Sequence, residues 1–586
     1  MIPSGYKTSK VYSVKPTSGD GDLTFTRSND TATRVGPDGL IEKVRTNLIL
    51  QSEAFNVTWV PVRSSVTANT TTAPDGTSTA DTLFDNTDAN LHYVSQSFTA
   101  ITGPATISVY AKANQLSQIQ IVAQGGTAAM GRGFDLSTGT TFAESVGGVT
   151  SNDLGQSITA VGDGWYRCTM SWTSTGQTSF WILTSKTNAS TYVGTGTDGV
   201  FIWGAQLETG DIATDYIATT SAAVSVGPVA NVPRLDYLNS SCGKLILEPQ
   251  RTNLVTNSEN LSGAGWSAQG STITSNATTS PDGYSNADAI VETATTDEHN
   301  RIYVASLTAV SHTASVFLKK FNQTWCAVYL FNGTVGIRHW INLDTLTAGT
   351  SANIGAGITA PLTLTNYGNG WVRASMTWTA DAASWSFYIA CARSNGGATT
   401  YAGDGTSGLY AWGAQVEAGY PTSYIPTLGA AVTRGADDCR KGGISSILPT
   451  QTGTLYVEFD WQKTPADVQV LSIHNNSTGL AWINKSTTTS VQGTYFASGY
   501  IGTLSGAVSA SAGIVKVAYA WTNGRQALYI NGVQAGTDTA AITDSNDFNI
   551  FEFNGFWGIQ KNGTSIASAL VFPTALSNSD LAALTA

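Results

Sequence analysis

Histidines, nucleophiles and paired acidic residues carry out most enzymatic chemistry, and in this sequence they form no familiar catalytic pattern. There is no GxSxG nucleophile motif, no HExxH metal motif and no GxxxxGK[ST] phosphate loop. Acidic residues are too sparse to nominate a pair for glycosidic cleavage. The five histidines are scattered along the chain: His92, His299, His312, His339 and His474. The sequence therefore predicts a protein that is not an enzyme, with a glycan-degrading enzyme as the alternative.

The cysteines predict neither a disulfide scaffold nor a zinc site. There are five of them, without CxxC spacing: Cys168, Cys242, Cys326, Cys391 and Cys439. An odd number without regular spacing favours buried free thiols. These residues imply no cofactor.

Aromatic rings are candidates for ligand binding, because an exposed ring face can stack on a sugar ring. Four tryptophans fall on the apolar side of alternating patterns and are interpreted as core residues: Trp172, Trp203, Trp378 and Trp412. Phe180 and Tyr388 are assigned to the polar side of their strands, which makes them candidate ligand-binding residues. Three more candidates lie near the end of the chain: Trp482, Tyr500 and Trp557.

The elements that must position these residues are duplicated. The phrase RTNLILQSEAF at residues 45–55 returns as RTNLVTNSENL at residues 251–261. Four such phrases begin at Arg45, Ala73, Gly162 and Trp203 in the first copy, and at Arg251, Ser280, Gly368 and Trp412 in the second. The spacing between copies is 206, 207, 206 and 209 residues, in the same order each time. Nearly constant spacing indicates a duplicated module.

Both copies have the alternation typical of half-buried antiparallel strands. In WYRCTMSW, residues Tyr166, Cys168, Met170 and Trp172 fall on one side and polar residues on the other. Short strands separated by Gly, Asn and Asp turns predict a jelly-roll β-sandwich. The fold class is therefore all-β, with two tandem jelly rolls and a third sandwich. The expected organisation is an N-terminal arm (1–43), module 1 (44–220), a connector (221–250), module 2 (251–428) and a C-terminal sandwich (429–586).

Four glutamates could hold a structural calcium ion. Glu53 and Glu259 begin the modules, and Glu208 and Glu417 end the WGAQ strands. Hard cations prefer carboxylate and carbonyl oxygens. The alternative is that these carboxylates accept hydrogen bonds within turns or are solvated, so no metal site is assigned.

Composition and charge restrict the possible partners. Charged residues make up 12% of the chain and aromatic residues 10%, which is the opposite of a disordered composition. The formal net charge of −11 argues against nucleic acid as a partner. No apolar stretch is long enough for membrane insertion, and the N-terminal residues lack the apolar region of a secretory signal.

The last 150 or so residues resemble the concanavalin A-like lectin and laminin G-like sandwiches. The features that carry the resemblance are the hairpin ALYINGVQAGT and the closing phrase VFPTALSNSDLAAL, whose second half is expected to form a short capped helix. The resemblance implies a fold and not a function, because this fold is used by lectins, hydrolases and spacers alike.

The rest of the chain resembles bacteriophage virion proteins, namely head-fibre and tail-fibre proteins with jelly rolls similar to carbohydrate-binding modules. The phrases that carry this resemblance are MIPSGYKTSKVYSVKPTSGDGDL, NVPRLDY with SCGKLILEPQRTNL, and WGAQVEAGYPTSYIPT. The wording is closest to phages of Bacteroidota, including crAss-like phages.

The resemblance implies a structural protein of the virion, assembled in the cytoplasm of the bacterial host. It would be anchored to other virion proteins by its N-terminal arm, would form a homotrimer and would bind host-surface glycans. The alternative is a secreted bacterial adhesin, or the binding portion of a glycan-active enzyme. The sequence does not distinguish head from tail attachment.

Overall fold

The computed structural model describes the backbone of residues 3–7, 10–13, 22–143, 146, 152–381, 383–445, 452–475, 479–497, 499–542, 548–553, 555 and 563–586. Two compact units divide the chain. One contains Val44–Gly227, and the other contains Met1–Lys43 together with Pro228–Ala586. The N-terminal residues therefore belong to the same unit as the second half of the chain.

The N-terminal segment contributes five short strands. They are β1 (Pro3–Lys7), β2 (Lys10–Ser13), β3 (Leu23–Thr26), β4 (Arg34–Val35) and β5 (Ile41–Glu42).

The unit at residues 44–227 is one module built from two six-stranded antiparallel sheets. Its strands are β6 (Arg45–Asn47), β7 (Val60–Val62), β8 (Ser64–Thr71), β9 (Ala80–Asp85), β10 (Ala89–Leu91), β11 (Tyr93–Ser97), β12 (Thr102–Lys112), β13 (Gln118–Gly125), β14 (Met130–Asp135), β15 (Thr140–Phe142), β16 (Asp153–Gly162), β17 (Trp165–Thr175), β18 (Gln177–Ser185), β19 (Thr191–Val193), β20 (Gly199–Thr209) and β21 (Val224–Val226). The sheet orders are β15-β14-β13-β18-β11-β7 and β16-β17-β12-β20-β9-β8.

The second module repeats this topology strand for strand. After β22 (Arg234–Asp236) and β23 (Lys244–Leu247), its strands are β24 (Arg251–Asn253), β25 (Trp266–Gln269), β26 (Ser271–Thr278), β27 (Ala287–Glu292), β28 (Thr296–Glu298), β29 (Asn300–Ser306), β30 (Ser311–Lys320), β31 (Trp325–Phe331), β32 (Gly336–Asn342), β33 (Thr347–Ile354), β34 (Leu362–Gly368), β35 (Trp371–Thr379), β36 (Ser384–Ala392), β37 (Thr400–Ala402), β38 (Gly408–Ala418) and β39 (Val432–Arg434). The sheet orders β33-β32-β31-β36-β29-β25 and β34-β35-β30-β38-β27-β26 match those of the first module.

A third sandwich follows. Its elements are β40 (Asp438–Gly442), β41 (Gly453–Asp460), β42 (Val468–His474), β43 (Leu480–Thr487), β44 (Ser490–Ala497), β45 (Gly499–Ala507), β46 (Ile514–Thr522), β47 (Arg525–Ile530), β48 (Val533–Asp538), β49 (Ile550–Phe553), β50 (Thr564–Phe572) and α1 (Asn578–Thr585). Ser577 accepts a hydrogen bond from the Asp580 amide and caps α1, as predicted. Within the described residues, no helix has the length and apolar character to cross a membrane.

The predicted fold class is confirmed, since the described chain is almost entirely β-strand arranged as paired sheets. The alternating apolar residues point into the cores, and the four tryptophans interpreted as core residues are at most 4% exposed. All five cysteines are free, and four of them are buried, whereas Cys242 is exposed.

The arm and the connector differ from the prediction, because residues from both are strands of the third sandwich. Strand β3 pairs with β40, which places β1, β2 and β3 at one edge of a nine-stranded sheet. Strand β23 pairs with β50 at the edge of the opposing seven-stranded sheet. Sequence periodicity could not reveal these pairings, because each joins segments separated by hundreds of residues.

A buried charge network connects these distant segments. Arg27 from the N-terminal segment, Arg234 from β22 and Arg434 from β39 are each fully buried. Arg27 Nη1 lies 3.2 Å from Asp437 Oδ1, and the other oxygen of Asp437 accepts from Arg234. Glu248 Oε2 lies 2.8 Å from Arg234 and 2.9 Å from Arg434. One group of ion pairs therefore joins the start, middle and end of this unit.

Backbone carbonyls accept further hydrogen bonds from each of the three guanidinium groups. Arg27 Nη2 donates to the carbonyls of Pro228 and Val229, both at 2.6 Å. Arg234 donates to the carbonyl of Thr33 at 2.9 Å, and Arg434 to that of Pro249 at 2.7 Å. Burial, which outweighs the attraction of Asp437, lowers the pKa of Arg27 to about 10.

We predict that Asp437→Asn destabilises this unit strongly. The substitution keeps the shape of the side chain but leaves buried Arg27 without a countercharge and Arg234 with Glu248 alone, and breaking a buried pair typically costs about 3–5 kcal/mol. Chemical denaturation followed by tryptophan fluorescence measures the loss. The control is Asp38→Asn on an exposed turn of the same segment, where a change below about 0.5 kcal/mol is expected. Equal stability of the two variants would contradict a structural role for the network.

The network also predicts a specific pH dependence. Burial alone would raise the pKa of Glu248, but the charges of Arg434 and Arg234 outweigh it and hold that pKa well below 4.5. A carboxyl with a lowered folded-state pKa contributes stability that is complete above its unfolded pKa and is lost as the pH falls toward the folded value. We expect the difference in unfolding free energy between wild type and Glu248→Gln to be constant at neutral pH and to shrink below about pH 5. A difference that grew on acidification would contradict this assignment.

Candidate functional site

The outward face of one sheet in the second module carries a stacked aromatic pair. Tyr388 on β36 and Tyr329 on β31 are direct cross-strand partners. Their rings lie 4.0 Å apart between centroids, at an angle of 11°. Tyr329 is almost fully buried, whereas Tyr388 is half-buried and stands at the solvent side of the stack. The sheet therefore presents the ring of Tyr388 on a rigid base.

Charged and polar groups surround the buried ring. The guanidinium carbon of Arg338 lies 4.3 Å from the centroid of Tyr329 and 5.8 Å from that of Trp340. Glu298 accepts hydrogen bonds from the Tyr329 hydroxyl at 3.0 Å and from Thr399 at 2.6 Å, and it pairs with Arg338 at 3.4 Å. Burial, together with the charge of Glu298, raises the pKa of Tyr329, so this hydroxyl remains a donor. The pairing of Arg338 with Glu298 leaves the face close to neutral.

Three buried polar atoms on this face have no hydrogen-bond partner among the described residues. They are Trp340 Nε1, Asn300 Oδ1 and Arg338 Nε. Unpaired buried polar atoms are uncommon in folded proteins, and each calls for an explanation such as an ordered water or ion. We call Asn300, Tyr329, Arg338, Trp340 and Tyr388 the aromatic face.

The first module has a different surface at the equivalent positions. The register of β13 and β14 places Val122, Gly131 and Gly133 where the second module has Tyr329, Arg338 and Trp340. A Cβ on Gly133 would lie 2.4 Å from the ring of Phe142, so β15 covers this position. Of the aromatic face, the first module has rings at two positions, Trp181 where the second module has Tyr388 and Tyr93 where it has Asn300. The copies share their core but not this surface.

The structure corrects the assignment of Phe180. This side chain is fully buried in the core of the first module and cannot present its ring to a ligand. Its neighbour Trp181 faces outward instead and stacks on Tyr93 at 4.3 Å. Successive residues of a strand point to opposite faces, so placing β18 one residue out of phase reversed the assignment. Phe180 is equivalent to Phe387, and Trp181 to Tyr388.

The sequence assigns the other three candidate ligand-binding residues to the C-terminal sandwich. Trp482 lies on β43 and is half-buried. The side chain of Tyr500 and the whole of Trp557 lie outside the described residues. Their role as ligand-binding residues stays a prediction.

The glutamates considered for calcium accept hydrogen bonds within the modules. Glu417 accepts hydrogen bonds from the backbone amide of Thr422 at 2.8 Å and from the side-chain amide of Gln415 at 2.6 Å. Glu208 accepts from the amide of Thr214 at 3.1 Å. Throughout the described part of the chain, no three side chains of His, Cys, Asp or Glu are grouped closely enough to hold a metal ion. These hydrogen bonds are those expected from the alternative interpretation, in which the carboxylates accept hydrogen bonds within turns.

At Glu259 the positive charge beside the carboxylate is a lysine ammonium. Lys43 Nζ lies 2.8 Å from Glu259 Oε2 and 2.6 Å from Asp282 Oδ2. The Tyr424 hydroxyl donates to the same glutamate at 3.0 Å. Although burial opposes its charge, the two carboxylates raise the pKa of Lys43 well above its usual range. The N-terminal segment thus supplies a positive charge at one of the four glutamates considered for calcium.

The histidines in the two modules have structural roles. His92 bonds to the carbonyls of Arg63 and Tyr192, and the equivalent His299 bonds to those of Gly270 and Tyr401. A ring whose two nitrogens both contact backbone carbonyls is held in place and does not face a substrate.

No protein-family profile and no curated protein matches the sequence. Among solved structures, the CBM40 of the Ruminococcus gnavus IT-sialidase, bound to alpha2,3 sialyllactose, aligns over 25% of this chain and 91% of its own, with 18% identity and a TM-score of 0.21. The CBM22-1–CBM22-2 tandem domain of Paenibacillus barcinonensis Xyn10C aligns over 64% and 98%, with 10% identity and a TM-score of 0.21. The LG1-3 region of the laminin alpha2 chain aligns over 83% and 96%, with 9% identity and a TM-score of 0.14.

We predict that Lys43→Met destabilises the unit that contains the second module. The variant leaves buried Asp282 and partly exposed Glu259 as neighbouring carboxylates without a countercharge, which should cost about 3 kcal/mol, the lower end for a buried pair. The control is Arg440→Met, which removes the same charge from an exposed side chain and should change stability by less than about 1 kcal/mol. Differential scanning calorimetry measures the midpoint of thermal unfolding for each variant. Equal midpoints for Lys43→Met and Arg440→Met would contradict the assigned role of Lys43.

Proposed function

We propose that this protein binds glycans without catalysing a reaction on them, and that the aromatic face of the second module is a binding surface. The observation that carries the proposal is the half-buried ring of Tyr388, stacked on Tyr329, whose own neighbours are the polar groups of Arg338 and Glu298. A rigid sheet holds these groups in place before a ligand arrives, which reduces the entropic cost of binding.

The chemistry of the face favours a sugar ring. A pyranose has an apolar C–H side that stacks on an aromatic ring and a rim of hydroxyls that both donate and accept hydrogen bonds. Tyr388 supplies the ring, the partly exposed guanidinium of Arg338 supplies donors, and the partly exposed carboxylate of Glu298 supplies an acceptor. Because Glu298 neutralises Arg338, we infer a neutral saccharide as ligand.

Substitution of Tyr388 tests this proposal. A glycan array with the full chain identifies a ligand, and isothermal titration calorimetry then compares variants. We expect Tyr388→Ala to weaken binding at least tenfold, as loss of a stacked ring costs about 1–3 kcal/mol. Tyr388→Phe keeps the ring and should bind within about threefold of wild type. An empty array, or unchanged affinity of Tyr388→Ala, would contradict the proposal.

We further propose that this binding takes place on a bacteriophage particle, as a fibre or decoration protein of the head or tail. The similarity of residues 1–430 to phage fibre proteins supports this role. Several copies on one particle would strengthen weak contacts through effective concentration. Partners among the virion proteins, attachment through the N-terminal residues and a homotrimeric state belong to the same proposal.

Mass spectrometry of purified particles and light scattering of the isolated chain test the virion role and the trimer separately. Absence of the chain from particles would favour a secreted adhesin or the binding portion of a glycan-active enzyme. A stable monomer at micromolar concentration would contradict the trimer and leave the glycan-binding proposal unaffected.

A further inference from the structure

In the second module, a segment from far away in the sequence covers an aromatic surface. Residues 35–43, which we call the strap, lie on this surface. Val35 and Ile41 pack in one buried cluster with Trp412 and Tyr424. At the end of the strap, Lys43 pairs with Glu259 and Asp282 and lies 5.4 Å from the Trp412 ring.

The strap also follows the turn at residues 280–283 closely. The amide of Ile41 donates to the carbonyl of Pro281 at 2.8 Å. A Cβ on Gly283 would lie 2.8 Å from Leu40 Cδ1, so the strap fills the space above this glycine. Asp282 is only 5% exposed as a result.

The first module has the same groups at the equivalent positions. Glu53 corresponds to Glu259, Asp75 to Asp282, Trp203 to Trp412 and Tyr216 to Tyr424. Glu53 accepts from the Tyr216 hydroxyl at 3.1 Å, as Glu259 does from Tyr424. The turn at residues 73–76 is closed by the same backbone hydrogen bonds as the turn at 280–283.

In the first module, however, this surface is open. Asp75 is exposed, and among the described residues no atom lies within 4 Å of a Cβ placed on Gly76. Tyr110 and Tyr216 are half-buried, whereas their equivalents Phe317 and Tyr424 are at most 2% exposed. The module therefore retains the two carboxylates and the rings of a strap-binding surface and has no strap on them.

We propose that the first module binds a strap of the same chemistry that belongs to a separate protein. The occupant is an extended segment with branched apolar side chains that pack on Tyr110 and Tyr216. Its lysine ammonium lies between Glu53 and Asp75, as Lys43 lies between Glu259 and Asp282 in the second module. The chain's own strap is excluded as occupant because it is bound to the second module.

A synthetic peptide with the sequence of residues 33–43, labelled with a fluorophore, serves as the probe. Fluorescence anisotropy with the full chain should show saturable binding of one peptide per chain, since the equivalent surface of the second module is filled. We expect Asp75→Lys to weaken binding about tenfold, because it places a like charge beside the peptide lysine. A peptide with Met at the position of Lys43 should lose affinity to a similar extent.

Asp88→Lys is the matched control, since it reverses the charge of another exposed aspartate of the same module, outside this surface. Both variants should keep the thermal midpoint of wild type, and Asp88→Lys should bind the peptide normally. Absence of binding to wild type, or equal binding by Asp75→Lys and wild type, would overturn the proposal. Self-association of the chain that Asp75→Lys abolishes would assign the surface to a second copy, and would overturn it as well.

Discussion

The buried network of Arg27, Arg234, Arg434, Asp437 and Glu248 is the constraint on which the larger unit depends. Removing five charges from water is costly, and mutual attraction offsets that cost only when every partner is in place. The network contains three guanidinium groups and two carboxylates, and backbone carbonyls of the N-terminal segment and connector accept further hydrogen bonds from Arg234 and Arg27. These segments must therefore fold together with the second module and the third sandwich.

This requirement explains why the N-terminal segment does not form an independent arm. Strand β3 completes one sheet of the third sandwich, and the residues that follow pass over the second module and end at Lys43. The same polypeptide stretch thus supplies an edge strand, a buried guanidinium and a buried ammonium. Substitutions in this short segment are expected to affect a unit that extends to the end of the chain.

Duplication followed by divergence separates structure from function in the two modules. Both keep the sheet order and the tryptophans of the core, because close packing tolerates little change in buried volume. Their surfaces are under no such restriction. The second module has acquired Arg338 and Trp340 where the first has glycines, and the first leaves open the surface that the second covers with the strap.

The sequence alone determined the all-β class, the duplication, the burial of Trp172 and Trp378 and the cap of α1, because these depend on local periodicity and on repeated phrases. It placed Tyr388 on the outward side of its strand but exchanged Phe180 for Trp181, since the phase of a single strand follows from its partners and not from its own residues. Only the tertiary structure decided that Tyr388 stacks on Tyr329, that Arg338 lies over Tyr329 and that Lys43 pairs with Glu259. Those contacts join residues far apart in the chain, and their formation depends on how sheets and segments pack in space.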